Sequence, residues 1–175
     1  MPKLRVATVW FSGCSGCHMS FLDLDERLLE FAERAELAFS PIADVKEFPE
    51  DVDVVLIEGA VGNTEHLREL LEIRKKAKIL VALGDCAVTG NVPSMRNPLP
   101  REEVLRAVYA KDDPPGLEEG EVPKLLPQAL PLHAVVRVDF FLPGCPPPAD
   151  RIWKFLRPLL FGEQPQLSGP DLKFG

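Results

Sequence analysis

The 175-residue chain has no clustered basic segment, no apolar stretch of bilayer-spanning length, and only four cysteines, three histidines and one tyrosine. Each scarcity removes a class of function. Nucleic-acid binding draws on counterion release by clustered Lys and Arg. At a net charge of −7 the chain is therefore not read as a nucleic-acid binder, and a neutral or basic protein partner, or none, fits its acidity equally well. Apolar runs such as Ile79 to Leu83 fall far short of the roughly 20 residues that a spanning helix needs, so no membrane span is expected. The amino terminus, Met1-Pro2-Lys3-Leu4-Arg5, leads directly into a strand-like segment. It lacks the charged, apolar and small-residue succession of an export signal and has no twin arginine, which predicts a cytoplasmic protein. Structural disulfides are disfavoured in that compartment, so the cysteines are expected to be catalytic or metal-binding.

What remains is an ordinary globular composition, 46% hydrophobic and 27% charged, of a length that supports one well-buried core. Five short apolar runs rich in Val, Ile and Leu read as buried strands: Leu4–Phe11, Leu37–Ile42, Val52–Ile57, Lys78–Leu83 and Ala134–Phe141. Helical patterns alternate with them at Met19–Ala35, Thr64–Lys76, Arg101–Tyr109 and Ala149–Phe161, with Asn63 as the N-cap of the second. Alternating strands and helices, with near-continuous apolar strands, predict an α/β fold. The specific expectation is a flavodoxin-like, doubly wound and mostly parallel five-stranded sheet with helices on both faces. One domain is expected over residues 1–162, followed by an extended tail over 163–175. Within the domain, residues 111–132 carry Pro114, Pro115, Pro123, Pro127 and Pro131 among acids and glycines. Proline breaks helices and cannot donate to a sheet, so an irregular surface insertion is expected there, either a solvated linker or an arm that contacts a partner.

The chemistry lies with the cysteines. Cys14 and Cys17 form a C-x-x-C in Gly13-Cys14-Ser15-Gly16-Cys17, Cys86 lies in Leu83-Gly84-Asp85-Cys86, and Cys145 in Pro143-Gly144-Cys145-Pro146-Pro147-Pro148. Every one follows the carboxyl end of a predicted strand, the edge at which open α/β sheets bind ligands, so three loops should bring four thiols together. A glycine before each motif lets the backbone approach a bulky guest, and its amides can point at anionic sulfur. The run Pro146–Pro148 removes three donors and stiffens the last loop. Four cysteinates suit a four-iron cluster. A structural zinc takes four as well, though usually from two C-x-x-C pairs. A redox dithiol would use Cys14 and Cys17 alone, and four unrelated buried thiols are the bland alternative. Spacing by itself leaves these open.

The ordered motifs Gly13-Cys14-Ser15-Gly16-Cys17-His18-Met19-Ser20, Glu58-Gly59-Ala60-Val61, Gly84-Asp85-Cys86-Ala87 and Pro143-Gly144-Cys145-Pro146-Pro147 resemble those of the small subunits of nickel–iron hydrogenases. The likeness runs from Arg5 to about Leu160. It implies that Cys14, Cys17, Cys86 and Cys145 ligate one proximal four-iron cluster facing a nickel–iron centre in a separate large subunit. Many members carry a further cysteine-rich domain and an export signal. Their absence from these 175 residues, and the Cys-His-Met-Ser sequence, resemble the short cytoplasmic small subunit of the NAD-reducing bidirectional hydrogenases. Such an enzyme implies diaphorase-type iron–sulfur and flavin subunits that bind FMN and NAD, since this chain has no G-x-G-x-x-G turn of its own. The related iron–sulfur subunit of respiratory complex I typically has two adjacent cysteines in its first motif, and Cys14 and Cys17 are not adjacent.

Other residues complete the expectation. Glu58, at the same sheet edge, is a candidate proton relay; its bland alternative is a carboxylate that caps the helix near Asn63 or bonds loop amides. His18 can hydrogen-bond cluster sulfur, join a proton route or pack against a partner. Asp85 can orient an amide beside Cys86 or cap a turn. Trp10 and Phe11 are expected to pack around the cluster, and Arg96 and Asn97 to meet the large subunit. A flavin carrier and a zinc-stabilised interaction module are the rival readings from other classes.

Overall fold

The computed structural model describes residues 3–110, 116–117 and 120–174. Five parallel strands form the main sheet: β1 (Leu4–Trp10), β2 (Ala35–Phe39), β3 (Val52–Glu58), β5 (Ala77–Leu83) and β7 (Phe140–Leu142), in the order β2-β1-β3-β5-β7. This is the expected flavodoxin-like order, whose direction of winding reverses between β1 and β3. Strand side chains alternate between the faces. Val54 and Leu56 pack with Phe21, Phe31, Ile152 and Phe155 from α1 (Gly16–Leu22), α2 (Arg27–Arg34) and α7 (Ala149–Leu160) on one side. Val55 and Ile57 pack with Leu70, Ile73 and Val88 from α3 (Thr64–Lys76) and α4 (Asp85–Thr89) on the other. Both faces are thus covered, which explains why the strands read as continuous apolar runs.

The segment expected to be one helix from Met19 to Ala35 is two, broken by a turn at residues 23–26. Asp25 takes a positive φ of 50° there, a conformation that Asp tolerates, while Leu24 turns inward to 2% exposure. Asn63 caps α3 as expected, its side chain accepting the His66 amide. A second, antiparallel pair of strands was not anticipated. Here β4 (Val61–Asn63) pairs with β6 (Leu125–Leu130), so part of the stretch expected to be irregular is ordered against the domain. The pairing is irregular between Val61 and Asn63, consistent with Pro127 in β6, which has no amide to donate. Residues 111–115 and 118–119 of that stretch lie outside the described residues. The expected strand from Ala134 begins instead as a 3-10 turn, Leu132–Ala134, and only Phe140–Leu142 joins the sheet. Two short helices, α5 (Asn91–Ser94) and α6 (Arg101–Tyr109), lie between β5 and β6, and the tail forms one capped turn at Gly169–Leu172. No helix among the described residues is long and apolar enough to cross a membrane.

Candidate functional site

Parallel pairing sets the geometry of the site. Trp10 pairs with Glu58, Glu58 with Leu83, and Leu83 with Leu142, so the carboxyl ends of β1, β3, β5 and β7 form one row. The segments that leave this row carry Cys14 and Cys145 in loops, Cys17 in the first turn of α1 and Cys86 in that of α4. All four line a single cavity of ≈ 50 Å³, together with Glu58, Asp85 and the backbone of Gly13, Gly16, Gly59 and Gly144. The four thiols are free; Cys14 and Cys145 are exposed, while Cys17 and Cys86 are half-buried.

Specific contacts hold each loop in place. Asp85 binds the Cys145 loop at two points, its carboxylate accepting the Gly144 amide at 2.6 Å and its own amide donating to the Gly144 carbonyl at 2.9 Å. Asp85 therefore orients the Gly144 amide, in the loop that carries Cys145. Ser20 of α1 donates to the Pro147 carbonyl, and Arg151 of α7 donates to the Pro143 carbonyl and to the Lys173 carbonyl in the tail. The Cys145–Pro146 peptide is cis. Gly84 is required for two reasons. Its φ is +81°, and a Cβ at this position would strike the Cys17 sulfur.

Electrostatics follow from crowding thiols in a partly dry edge. Burial, then the Glu58 carboxylate and the three other cysteines, push the Cys17 thiol far above the usual range. Burial and the neighbouring Cys145 raise Cys86 too, against a hydrogen bond from the Val92 amide that lowers it. Such thiols ionise readily only when a cationic guest offsets their mutual repulsion. A single zinc would need its sulfurs about 2.3 Å from one point, and among the described residues no three His, Cys, Asp or Glu side chains are placed to share one metal ion. Four sulfurs around one cavity, but not on one point, are a donor set that fits the larger four-iron cluster.

Glu58 and His18 lie beneath this edge, each only 2% exposed. Glu58 Oε2 accepts the His18 amide at 2.7 Å and lies 2.8 Å from His18 Nδ1, while His18 Nε2 has no hydrogen-bond partner. The carboxylate thus bonds an amide in the first turn of α1, next to Cys17, rather than a loop amide, and the cap at Asn63 is made by Asn63 itself. Trp10 and Phe11 do not line the cysteine cavity. Trp10 packs edge-on against the His18 ring, and Phe11 stacks on His66. Arg96 and Asn97, expected to meet a partner, are engaged within the chain. Arg96 donates to the Pro127 and Gly62 carbonyls, and Asn97 exchanges two hydrogen bonds with Ala129 of β6. Arg96 also lines a groove of ≈ 490 Å³ beside Cys14, Cys86 and Cys145. Sequence reasoning missed Asn91, whose side-chain amide lies 3.5 Å from the Cys145 sulfur. The Gly90-Asn91 pair signals a turn, but nothing local says which sulfur that turn will meet.

Residues 14–159 match the family described as NADH ubiquinone oxidoreductase, 20 Kd subunit. The chain is 40% identical to a subunit of the F420-non-reducing hydrogenase of Methanothermobacter marburgensis, over 97% of this chain and 58% of that protein. It therefore spans less than two thirds of that relative. It is 38% identical to the delta subunit of the NAD-reducing hydrogenase HoxS of Cupriavidus necator, over 91% of this chain and 80% of that one. It also superposes on a chain of the solved NAD+-reducing [NiFe]-hydrogenase in its H2-reduced state, with a TM-score of 0.90 and 42% identity. That match covers 99% of this chain and 100% of that one.

Proposed function

Because the chain belongs to the family of the NADH ubiquinone oxidoreductase 20 Kd subunit, and within it to the small subunits of nickel–iron hydrogenases, we propose that it is the electron-transferring small subunit of a cytoplasmic, NAD-reducing hydrogenase. In this reading Cys14, Cys17, Cys86 and Cys145 hold one four-iron cluster, proximal to a nickel–iron centre in a large subunit. Diaphorase-type iron–sulfur and flavin subunits supply FMN and NAD. The observation that carries the reading is the convergence of four thiols from three loops on one cavity at the carboxyl edge of the sheet.

When bound, the cluster accepts and releases one electron at a time. The chain's own residues position it, limit water around it and tune it. Asp85, Ser20 and Arg151 fix the Cys145 loop, and the backbone at Gly84 leaves room for Cys17. Exposed Cys14 and Cys145 put two ligands at the surface, where a partner's redox centre can approach. Glu58 is assigned the proton-relay role, with His18 as the neighbouring group that exchanges a proton through Nδ1.

The test is to purify the full chain without oxygen, together with the subunits that accompany it. Hydrogen-dependent NAD reduction, abolished by Cys145→Ser without loss of assembly, supports the proposal. A chain that carries one zinc or a flavin in place of iron and sulfide contradicts it.

A further inference from the structure

The turn Gly90–Val92 follows α4 and folds back over the cysteine edge, where the Asn91 side-chain amide reaches the Cys145 sulfur at 3.5 Å and Val92 lines the same groove as Cys86. The turn is anchored to α4, where the Gly90 amide donates to the Cys86 carbonyl at 3.0 Å, and is closed from within α5 by Ser94 Oγ, which donates to the Asn91 carbonyl at 2.7 Å. The backbone at Asn91 has a φ of +31°, which few residues other than Gly, Asn and Asp adopt readily. Of those three, only Asn offers a side-chain donor. Its identity thus answers two demands together, a turn that most side chains resist and a donor aimed at sulfur.

We propose that Asn91 is a positioning residue that acts through Cys145, its side-chain amide stabilising negative charge on that sulfur and raising the reduction potential of the cluster held there. The inference rests on the four-cysteine reading above. One-electron reduction makes the cluster and its thiolates more negative, so a donor to sulfur favours the reduced form over the oxidised one. No proton is taken up in this step.

The experiment is a redox titration followed by electron paramagnetic resonance, on the full chain with its accompanying subunits, for wild type, Asn91→Gly and Asn91→Asp. Gly relaxes the positive φ and deletes the donor, and Asp keeps the turn but presents a carboxylate to the sulfur. Both variants should bind iron and sulfide as wild type does and titrate at lower potential, Asp below Gly. A roughly tenfold shift of the one-electron equilibrium in Asn91→Gly corresponds to about 59 mV. An exchangeable proton coupled to the reduced cluster should also disappear in both variants. Wild-type potential and an unchanged proton coupling in a cluster-loaded Asn91→Gly would overturn the inference while leaving the four-cysteine reading intact. Should Asn91→Gly lose its cluster, the same two readings on Asn91→Asp decide. Wild-type protein without iron and sulfide would instead overturn the reading on which the inference rests.

Discussion

Glu58 and His18, brought together from β3 and α1, share one carboxylate oxygen. Glu58 Oε2 meets both the backbone amide and the ring Nδ1 of His18, with both side chains buried. The contact links the end of β3 to the helix that carries Cys17, adding a buried side-chain tie to the backbone bonds that join residues 11 and 12 to residues 58 and 60.

Two substitutions separate the roles of that acid. Glu58→Ala orphans the His18 amide and Nδ1 in the interior and should cost about 3 kcal/mol, read by denaturant unfolding of the cluster-loaded chain. Glu58→Gln keeps an acceptor for the amide and should cost less, while lowering hydrogen-dependent activity in the assembled enzyme. Unchanged activity in Glu58→Gln removes the relay role and leaves Glu58 as a structural link.

Gly84→Ala tests the fit of the loop before Cys86. A methyl group there meets the Cys17 sulfur at a positive φ, so the backbone conformation alone costs about 1–2 kcal/mol. The expected outcome is a folded chain with less iron per chain than wild type. Full iron content would mean that the loops yield more than their contacts imply.

Exposure orders the thiols of the cluster-free chain. Cys14 and Cys145 are open to solvent, whereas Cys17 is half-buried with its pKa raised by burial and by Glu58. Under limiting alkylation near neutral pH, Cys14 and Cys145 should be modified first and Cys17 last, as peptide mass analysis can report. Early modification of Cys17 would contradict the described edge.

Asp139 gives a pH-dependent contribution. Partial burial alone would raise its pKa, but the Leu80 amide at 2.9 Å and Arg74 at 2.6 Å hold the carboxyl below the usual range. A depressed folded-state pKa contributes stability above the unfolded value, and that stability is lost as pH falls through the folded value. Asp139→Asn should therefore destabilise the chain by about 1 kcal/mol near neutral pH, solvent screening keeping the effect small. The difference should vanish under acid conditions.

Much of this was legible in the sequence because it depends on local pattern. The β1, β3 and β5 runs, the Thr64–Lys76 and Arg101–Tyr109 helices and the cap at Asn63 all have short-range signals. The positions of Cys14, Cys17, Cys86 and Cys145 after strands were likewise readable, and parallel pairing then forces them to one edge. The break between α1 and α2 was not readable, since the burial of Leu24 and the turn at Asp25 interrupt a pattern that looks continuous. Nor was β6, whose Pro127 argues against a strand and whose partner β4 is far away in sequence. The His18–Glu58, Asp85–Gly144 and Asn91–Cys145 contacts span 40, 59 and 54 residues. Such pairings are decided by packing, and no local composition records them.

The most direct measurement of the central claim is iron and acid-labile sulfide per chain, on full-length protein purified without oxygen, for wild type and for Cys145→Ser. About four of each are expected in wild type, and a diminished or unstable content in the variant. Iron near zero, or wild-type content retained after Cys145→Ser, would contradict a cluster held by these four cysteines.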